Sequence, residues 1–288
     1  MPVGAYSGGV GTTVEFRKGH GTGNDFVLLP DPTGTLELSA SRITAVCDRH
    51  FGLGADGVLR VVPAELADVE SDLVVGADWF MDYRNADGSV AEMCGNGARV
   101  FARYLVSAGL VPAGDFIIGT RGGPRQVSAG LTGQVSVGMG PVAVHPLESA
   151  TVSLAGQEWA ATPAFAPNPH AVAMVTALSE VGEIESATAA PVNAFPDGVN
   201  IELVEVIDAD RVAMRVNERG SGETLSCGTG ACAVAAVHRA TAGGSTPVTV
   251  AVPGGEVVVE FRDGEAILSG PAELIASGEI DPQWWASH

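Results

Sequence analysis

The fold class expected from the sequence is α/β (α+β), built as two similar halves, and three observations predict it. The chain has 288 residues, and a single domain usually takes about 100–200. Short apolar runs broken by Gly, Pro and Asp turns recur along it, with a few helical patterns between them. One motif occurs twice, because Met93-Cys94-Gly95-Asn96-Gly97-Ala98 returns 133 residues later as Ser226-Cys227-Gly228-Thr229-Gly230-Ala231. A single repetition at that spacing marks duplicated domains rather than a solenoid.

In chain order, residues 14–16, 26–29, 57–62, 79–83, 116–118 and 126–129 predict strands in the first half. Residues 171–175, 198–206, 211–216, 248–252 and 256–261 do so in the second. Residues 39–50 predict a helix capped by Ser39 or Ser41, with Cys47 in its middle. Behind Cys94, the stripe Val100, Phe101, Tyr104, Leu105 and Ala108 predicts a helix stopped by Gly109. Behind Cys227, the Ala/Val-rich stretch 232–242 predicts a buried helix stopped at Gly243-Gly244. The echo extends downstream, where Thr120-Arg121-Gly122-Gly123, a strand and Gly140-Pro141 are matched by Val252-Pro253-Gly254-Gly255, a strand and Gly270-Pro271. Upstream, Gly23-Asn24-Asp25-Phe26-Val27 has a weaker counterpart in residues 167–172.

Composition narrows the function. A net charge of −19, from 34 acidic against 15 basic residues, repels phosphate backbones and anionic membranes, so neither nucleic acid nor a membrane is an expected partner. No stretch approaches about 18 apolar residues, and the first eighteen residues lack a signal peptide's apolar core of about 7–15. Four cysteines without a Cys-x-x-Cys pair fit a cytoplasmic protein with reduced thiols. The one lysine, Lys18, precedes a Gly-rich turn with no phosphate cradle beside it, which argues against a pyridoxal phosphate Schiff base. No His, Cys, Asp or Glu group has metal-ligand spacing, so the expectation is no cofactor and no metal.

A helix N-terminus carries unpaired N–H groups and about half a positive charge. A thiol placed there is expected to have a lowered pKa, and glycines let a carboxylate approach the N–H groups. One such motif alone is equally a buried cysteine at a Gly-rich turn. Two of them, in facing halves, would seat one carboxylate between two helix ends and expose its α-carbon to a thiol on each side. That arrangement suits a racemase or epimerase, in which a base removes the α-proton from one face and an acid returns one to the other.

Further motifs run in order as Lys18-Gly19-His20-Gly21-Thr22-Gly23-Asn24-Asp25-Phe26, Gly52-Leu53-Gly54-Ala55-Asp56-Gly57, Tyr83-Arg84-Asn85-Ala86-Asp87-Gly88-Ser89 and Met93-Cys94-Gly95-Asn96-Gly97-Ala98-Arg99. They continue as Asn168-Pro169-His170, Gly198-Val199-Asn200, Glu218-Arg219-Gly220-Ser221-Gly222-Glu223-Thr224 and Ser226-Cys227-Gly228-Thr229-Gly230-Ala231. With these the chain resembles the diaminopimelate epimerase family over nearly its whole length. The resemblance implies interconversion of LL- and meso-2,6-diaminopimelate without pyridoxal phosphate or metal, in lysine and peptidoglycan precursor biosynthesis. It implies two pseudo-symmetric domains, each a β-barrel-like sheet around a central helix, with residues 1–138 plus 270–288 in one and 139–269 in the other. Family members are often homodimers, and a homodimer is carried over as an expectation.

Matched motif by motif, the resemblance makes Cys94 and Cys227 the acid/base pair, and Gly95, Asn96, Gly228 and Thr229 the helix-end groups that hold the reacting carboxylate. Asn24, Asn85, Asn168, Asn200, Glu218 and Arg219 match substrate-binding positions. The second head of diaminopimelate is a zwitterion, for which Glu218 and Arg219 offer both charges. His170 and Glu218 match positions near the thiols that help set their protonation; for His170 a structural role beside Pro169 stays equally open. Asn24 and Asn200 are alternatively turn residues, and Glu218-Arg219 a solvated pair. Cys47 and Cys232 are read as inert. Two departures stand out: Gly57 replaces a substrate-binding Gln of some relatives, and Pro167 replaces the usual Gly before Asn168. The nearest alternative is a related two-cysteine racemase acting on proline or hydroxyproline, and from another class a thiol redox sensor or a passive amino-acid binder.

Overall fold

Parallel strand pairs need a crossover of a dozen or more residues, usually a helix, and the two central helices of this chain supply such crossovers. The computed structural model describes residues 13–145, 150–190, 195, 196, 198–243 and 247–288; Gly244 and residues 1–12 lie outside the described residues. The first half runs β1 (Val14–Gly21), β2 (Asn24–Pro30), α1 (Ala40–Cys47), β3 (Gly57–Pro63), β4 (Trp79–Asn85), α2 (Gly95–Ser107), β5 (Gly114–Gly119), β6 (Arg125–Ala129) and β7 (Val135–Pro141). Successive strands pair antiparallel except β2 with β3 and β4 with β5, which are parallel.

The second half begins with β8 (Ala143–Val144), β9 (Ala150–Leu154), β10 (Gln157–Phe165), β11 (Pro169–Val175), β12 (Thr188–Ala190) and β13 (Asn200–Asp208). It continues with β14 (Arg211–Glu218), β15 (Gly222–Thr224), α3 (Gly228–Ala242), β16 (Val248–Val252), β17 (Gly255–Arg262) and β18 (Glu265–Gly270). The ladder β10–β11–β13–β14–β16–β17–β18 repeats the first half's pattern, with parallel joints again at the second and fourth steps. The ladders meet where β7 pairs antiparallel with β18. There Ser136 lies opposite Ser269, hydroxyls 2.7 Å apart, across the same 133-residue interval that separates Cys94 from Cys227. The chain then returns to its start: β19 (Glu273–Ile280) pairs with β1, and α4 (Pro282–Ser287) follows.

Each ladder wraps a helix. α2 touches β1–β4, β6, β7 and β19, while α3 touches β8, β10, β11, β13 and β16–β18. Every residue of α2 from Gly95 to Val106 is buried, and one apolar core runs continuously around both helices. Burying a side chain such as Phe101 or Leu105 contributes about 1.5–3 kcal/mol.

Several element boundaries differ from expectation, the end of α1 and the start of β13 among them. α1 stops at Cys47 rather than His50, because Asp48 turns extended and its carboxylate accepts the N–H groups of His50 and Phe51, each at 2.7 Å. The loop then folds back so that Leu53, Gly54 and Ala55 bond the last helical carbonyls; Cys47 therefore ends the helix. β13 starts at Asn200, since Gly198 sits in a turn at φ +83°. α2 is capped at Ala108, and Gly109 takes the left-handed position after it at φ +69°. No described helix is long and apolar enough to cross a membrane.

Candidate active site

Cys94 and Cys227 are the N-caps of α2 and α3. Both are extended, and each sulfur accepts the N–H three residues on, from Gly97 or Gly230, at 3.4 Å. The first turns of the two helices touch. A Cβ placed on Gly228 would lie 3.3 Å from Cα of Gly95 and 3.6 Å from N of Asn96, so a side chain there would press the helix ends slightly apart. Asn96 spans the joint, donating to the Ser226 carbonyl at 3.0 Å and to Oδ1 of Asn24 at 3.3 Å. Beside it the Thr22 hydroxyl donates to Oγ of Ser226 at 2.7 Å.

On the Cys94 side the surroundings are mostly uncharged. Its Sγ lies 3.6 Å from Oδ1 of Asn24, whose amide nitrogen is held 2.7 Å from Asp56, itself fixed by Arg49. That network sets which way the amide points and leaves its oxygen toward the thiol. Asn85 ends β4 and is engaged with its own turn, donating to Oγ of Ser89 at 2.9 Å.

The Cys227 side is charged. Glu218, the last residue of β14, accepts the Thr224 hydroxyl at 2.5 Å and the Cys227 thiol. Thr229 Oγ1 lies 3.4 Å from the same sulfur. His170 and Glu202 are both wholly buried, with Nδ1 of His170 2.6 Å from Oε1 of Glu202 and Nε2 3.0 Å from Oδ1 of Asn168. A Cβ on Gly230 would meet Oε1 of Glu202 at 2.7 Å and Sγ of Cys227 at 3.4 Å, so carboxylate and sulfur lie within about 6 Å of each other. Asn200 accepts the Arg219 N–H at 2.9 Å, and the Arg219 stem passes over Gly198.

The expected lowering of the thiol pKa values is overturned. Burial pushes Cys94 up to about 11, against the pull of the Gly97 and Asn96 N–H groups and with the Glu218 charge adding to the rise. Cys227 goes well above the usual thiol range, through burial first and then the charges of Glu218 and Glu202. Helix-end donors act with the predicted sign, but taking a thiolate out of water outweighs them. Burial also raises Glu218.

Sequence reasoning missed four contributors: Thr22, Ser226, Asp56 and Glu202. Glu202 carried a legible signal, since it stands two residues after Asn200 on the same face and between the apolar Ile201 and Leu203. Lys18 is committed to Asp25 and the Gly54 carbonyl. Cys47 and Cys232 are buried, with thiols pushed up to about 12, and neither caps a helix N-terminus as Cys94 and Cys227 do. Among the described residues no group of three His, Cys, Asp or Glu side chains could hold a metal ion.

The family model described as diaminopimelate epimerase matches residues 16–145 and 166–275. The chain belongs to the diaminopimelate epimerase family. It is 49% identical over 282 residues to the diaminopimelate epimerase of Streptomyces coelicolor, covering 95% of this chain and 97% of that one. Against the diaminopimelate epimerase of Mycolicibacterium vanbaalenii it is 46% identical over 289 residues, covering 95% and 99%. Solved structures of a phenazine biosynthesis protein of the PhzF family from Bacillus anthracis and a hydroxyproline epimerase from Agrobacterium vitis each share its fold at TM-score 0.68 and 16% identity. The first covers 93% of this chain and 99% of its own, the second 95% and 94%. The identities separate the family from the proline and hydroxyproline enzymes, which are distant. At Gly57, a Cβ would lie 2.6 Å from the Arg84 carbonyl and 2.7 Å from the Tyr83 ring, so any side chain at this position would require the backbone to shift. At Pro167 the peptide after Ala166 is cis, and Ala166 N donates to the Asn168 carbonyl at 3.0 Å.

Proposed function

We propose that this protein is a cofactor-independent isomerase that interconverts LL- and meso-2,6-diaminopimelate, in lysine and peptidoglycan precursor biosynthesis. The observation that carries the reading is the contact between two helix N-termini, each capped by a cysteine. The reacting carboxylate sits on the helix-end groups of Gly95, Asn96, Gly228 and Thr229. One sulfur, as thiolate, takes the α-proton, and the C–H electron pair moves into the carboxylate-stabilised carbanion. The opposite thiol gives its proton to the other face, inverting the centre. The sulfurs end with exchanged protonation, so the reverse reaction needs no reset and no net proton is consumed.

An α-carbon is a far weaker acid than a thiol, and each pKa unit of that gap costs about 1.36 kcal/mol. Preorganised amides and the helix dipoles supply the compensating stabilisation in a dry site. With no ligand, burial keeps both thiols protonated; the substrate's α-ammonium brings the positive charge that favours a thiolate. Asn24, Asn85, Asn168, Asn200, Glu218 and Arg219 hold the substrate, and His170 with Glu218 adjusts the protonation of Cys227. The chain divides into residues 1–138 plus 270–288 and 139–269, a reading supported by the pairing of β19 with β1. It works on a small molecule, in the cytoplasm and as a homodimer.

The test is turnover of LL-diaminopimelate, L-proline and trans-4-hydroxy-L-proline, each followed by chiral chromatography. Inversion of diaminopimelate alone is expected; inversion confined to the proline substrates overturns the assignment.

A further inference from the structure

Arg99, one and a half turns into α2, is the largest side chain with no exposure. Among the described residues no carboxylate pairs with it, and its Nε and Nη1 have no hydrogen-bond partner. Its Nη2 donates to Oδ1 of Asn96 at 2.5 Å and to Oγ1 of Thr22 at 3.1 Å. These two residues, one on α2 and one in the turn between β1 and β2, bond Ser226 of the other half. The backbone has been cleared for it: a Cβ on Gly270 would lie 1.9 Å from Nη1, and one on Gly21 3.1 Å from Nη2. The equivalent place on α3, 133 residues on, holds Cys232, equally buried and within reach of the Arg99 charge. A buried charge without a counter-ion is costly, and here it is kept in one half and absent from the other.

The charge has a route to one thiol. Arg99 donates to Asn96, Asn96 donates to Oδ1 of Asn24, and that same oxygen lies 3.6 Å from Cys94 Sγ. Each donor polarises the next and weakens the hold of Oδ1 on the thiol proton. The other groups acting on Cys94 are Glu218, Tyr83 and, through Asn24, Asp56. Cys227 faces Glu218, Glu202 and, beyond them, His170, with no cation equivalent to Arg99 on its helix.

We propose that Arg99 is a positioning residue that orients Asn96 and biases the site electrostatically, so that Cys94 becomes the thiolate before Cys227 does. The proposal rests on reading these two cysteines as the proton-transferring pair, and it fixes which of them ionises first in the ligand-free site.

The experiment alkylates the ligand-free protein with iodoacetamide at pH 8 and 9, below the ionisation of either thiol, where each rate is proportional to the thiolate fraction, and follows each thiol separately by peptide mass spectrometry. The readout is each thiol's rate in a variant divided by its rate in the unaltered protein at the same pH, so that access cancels. In Arg99→Met the Cys94 rate falls about tenfold or more while that of Cys227 changes much less; Arg99→Lys returns it toward the original. An equal change at both thiols, or a larger one at Cys227, means a structural role only and refutes the bias. Should the Met variant not fold, Arg99→Gln, which keeps a donor for Asn96 without the charge, decides in the same way. Failure of the underlying reading looks different, because it shows as retained inversion when one of the two cysteines is replaced.

Discussion

Two stretches of this molecule 133 residues apart, around Cys94 and around Cys227, keep the same N-cap thiol, the same flanking glycines and the same order of strand pairings. What lines them differs. Asn85 corresponds to Glu218, Asn96 to Thr229 and Arg99 to Cys232. Amides and a buried cation stand around Cys94, whereas two carboxylates and a histidine stand around Cys227. The glycines at the joint recur in both halves because space is short there: a Cβ on Gly228 would press on Leu268 and Gly95, and one on Gly95 on Met139 and Leu268. The charges around each thiol diverge.

The largest expected effect comes from making one substitution in both halves. Gly230→Ala drives a methyl to 2.7 Å from Glu202 and is expected to lower kcat by about 10²-fold, the scale of losing a positioned acid or base. Gly97→Ala meets Leu59 and Phe26 at an ordinary 3.4 Å and should cost far less, with a gain in helix stability of about 0.5–1 kcal/mol. Steady-state kinetics and thermal unfolding of the pair check this, and equal losses in both halves would erase the asymmetry.

Exchanging the lining sharpens it. Glu218→Gln removes a charge that raises both thiols and should speed alkylation of Cys227 at pH 9 about tenfold. No change in that rate would mean that burial alone sets the thiol.

A smaller effect concerns the scaffold behind Asn24. Burial works to raise the pKa of Asp25, but hydrogen bonds from Arg49 and Lys18 outweigh it and bring it to about 2, from an ordinary 3.8. A carboxylate with a depressed folded pKa contributes stability that is present above about pH 4 and lost as pH falls toward 2. The contribution is about 2 kcal/mol, and Asp25→Asn should remove that part of the acid slope in urea titrations. The thiols act in the opposite sense: above pH 9 the unfolded chain ionises Cys94 while the folded one holds its proton to about 11, so stability falls across that interval.

The repeat, the strands that carry the site and both cysteine caps were legible, because periodicity and the Cys-Gly-x-Gly-Ala motif are local properties of the chain. The end of α1 was not, since it depends on Asp48 bonding two N–H groups beyond it and on a loop taking the last carbonyls. Strands β9, β10 and β19 escaped notice because Thr151, Ser153, Glu158, Ala160 and Ser277 give them no sustained apolar run. The thiol pKa values were read in the wrong direction because a sequence reveals a helix N-terminus but not how far water is excluded from it. Glu202 went unassigned, and Arg99 appeared only as the tail of a motif, because pairing and depth are properties of the folded chain.

The most direct measurement of the central claim is solvent deuterium uptake at the α-carbon of LL- and meso-diaminopimelate in Cys94→Ala and Cys227→Ala, analysed together with product stereochemistry. The account predicts that neither variant inverts the centre, and that any residual exchange returns deuterium to the face it came from. Inversion at near-normal rate by a protein with only one of these sulfurs would contradict it.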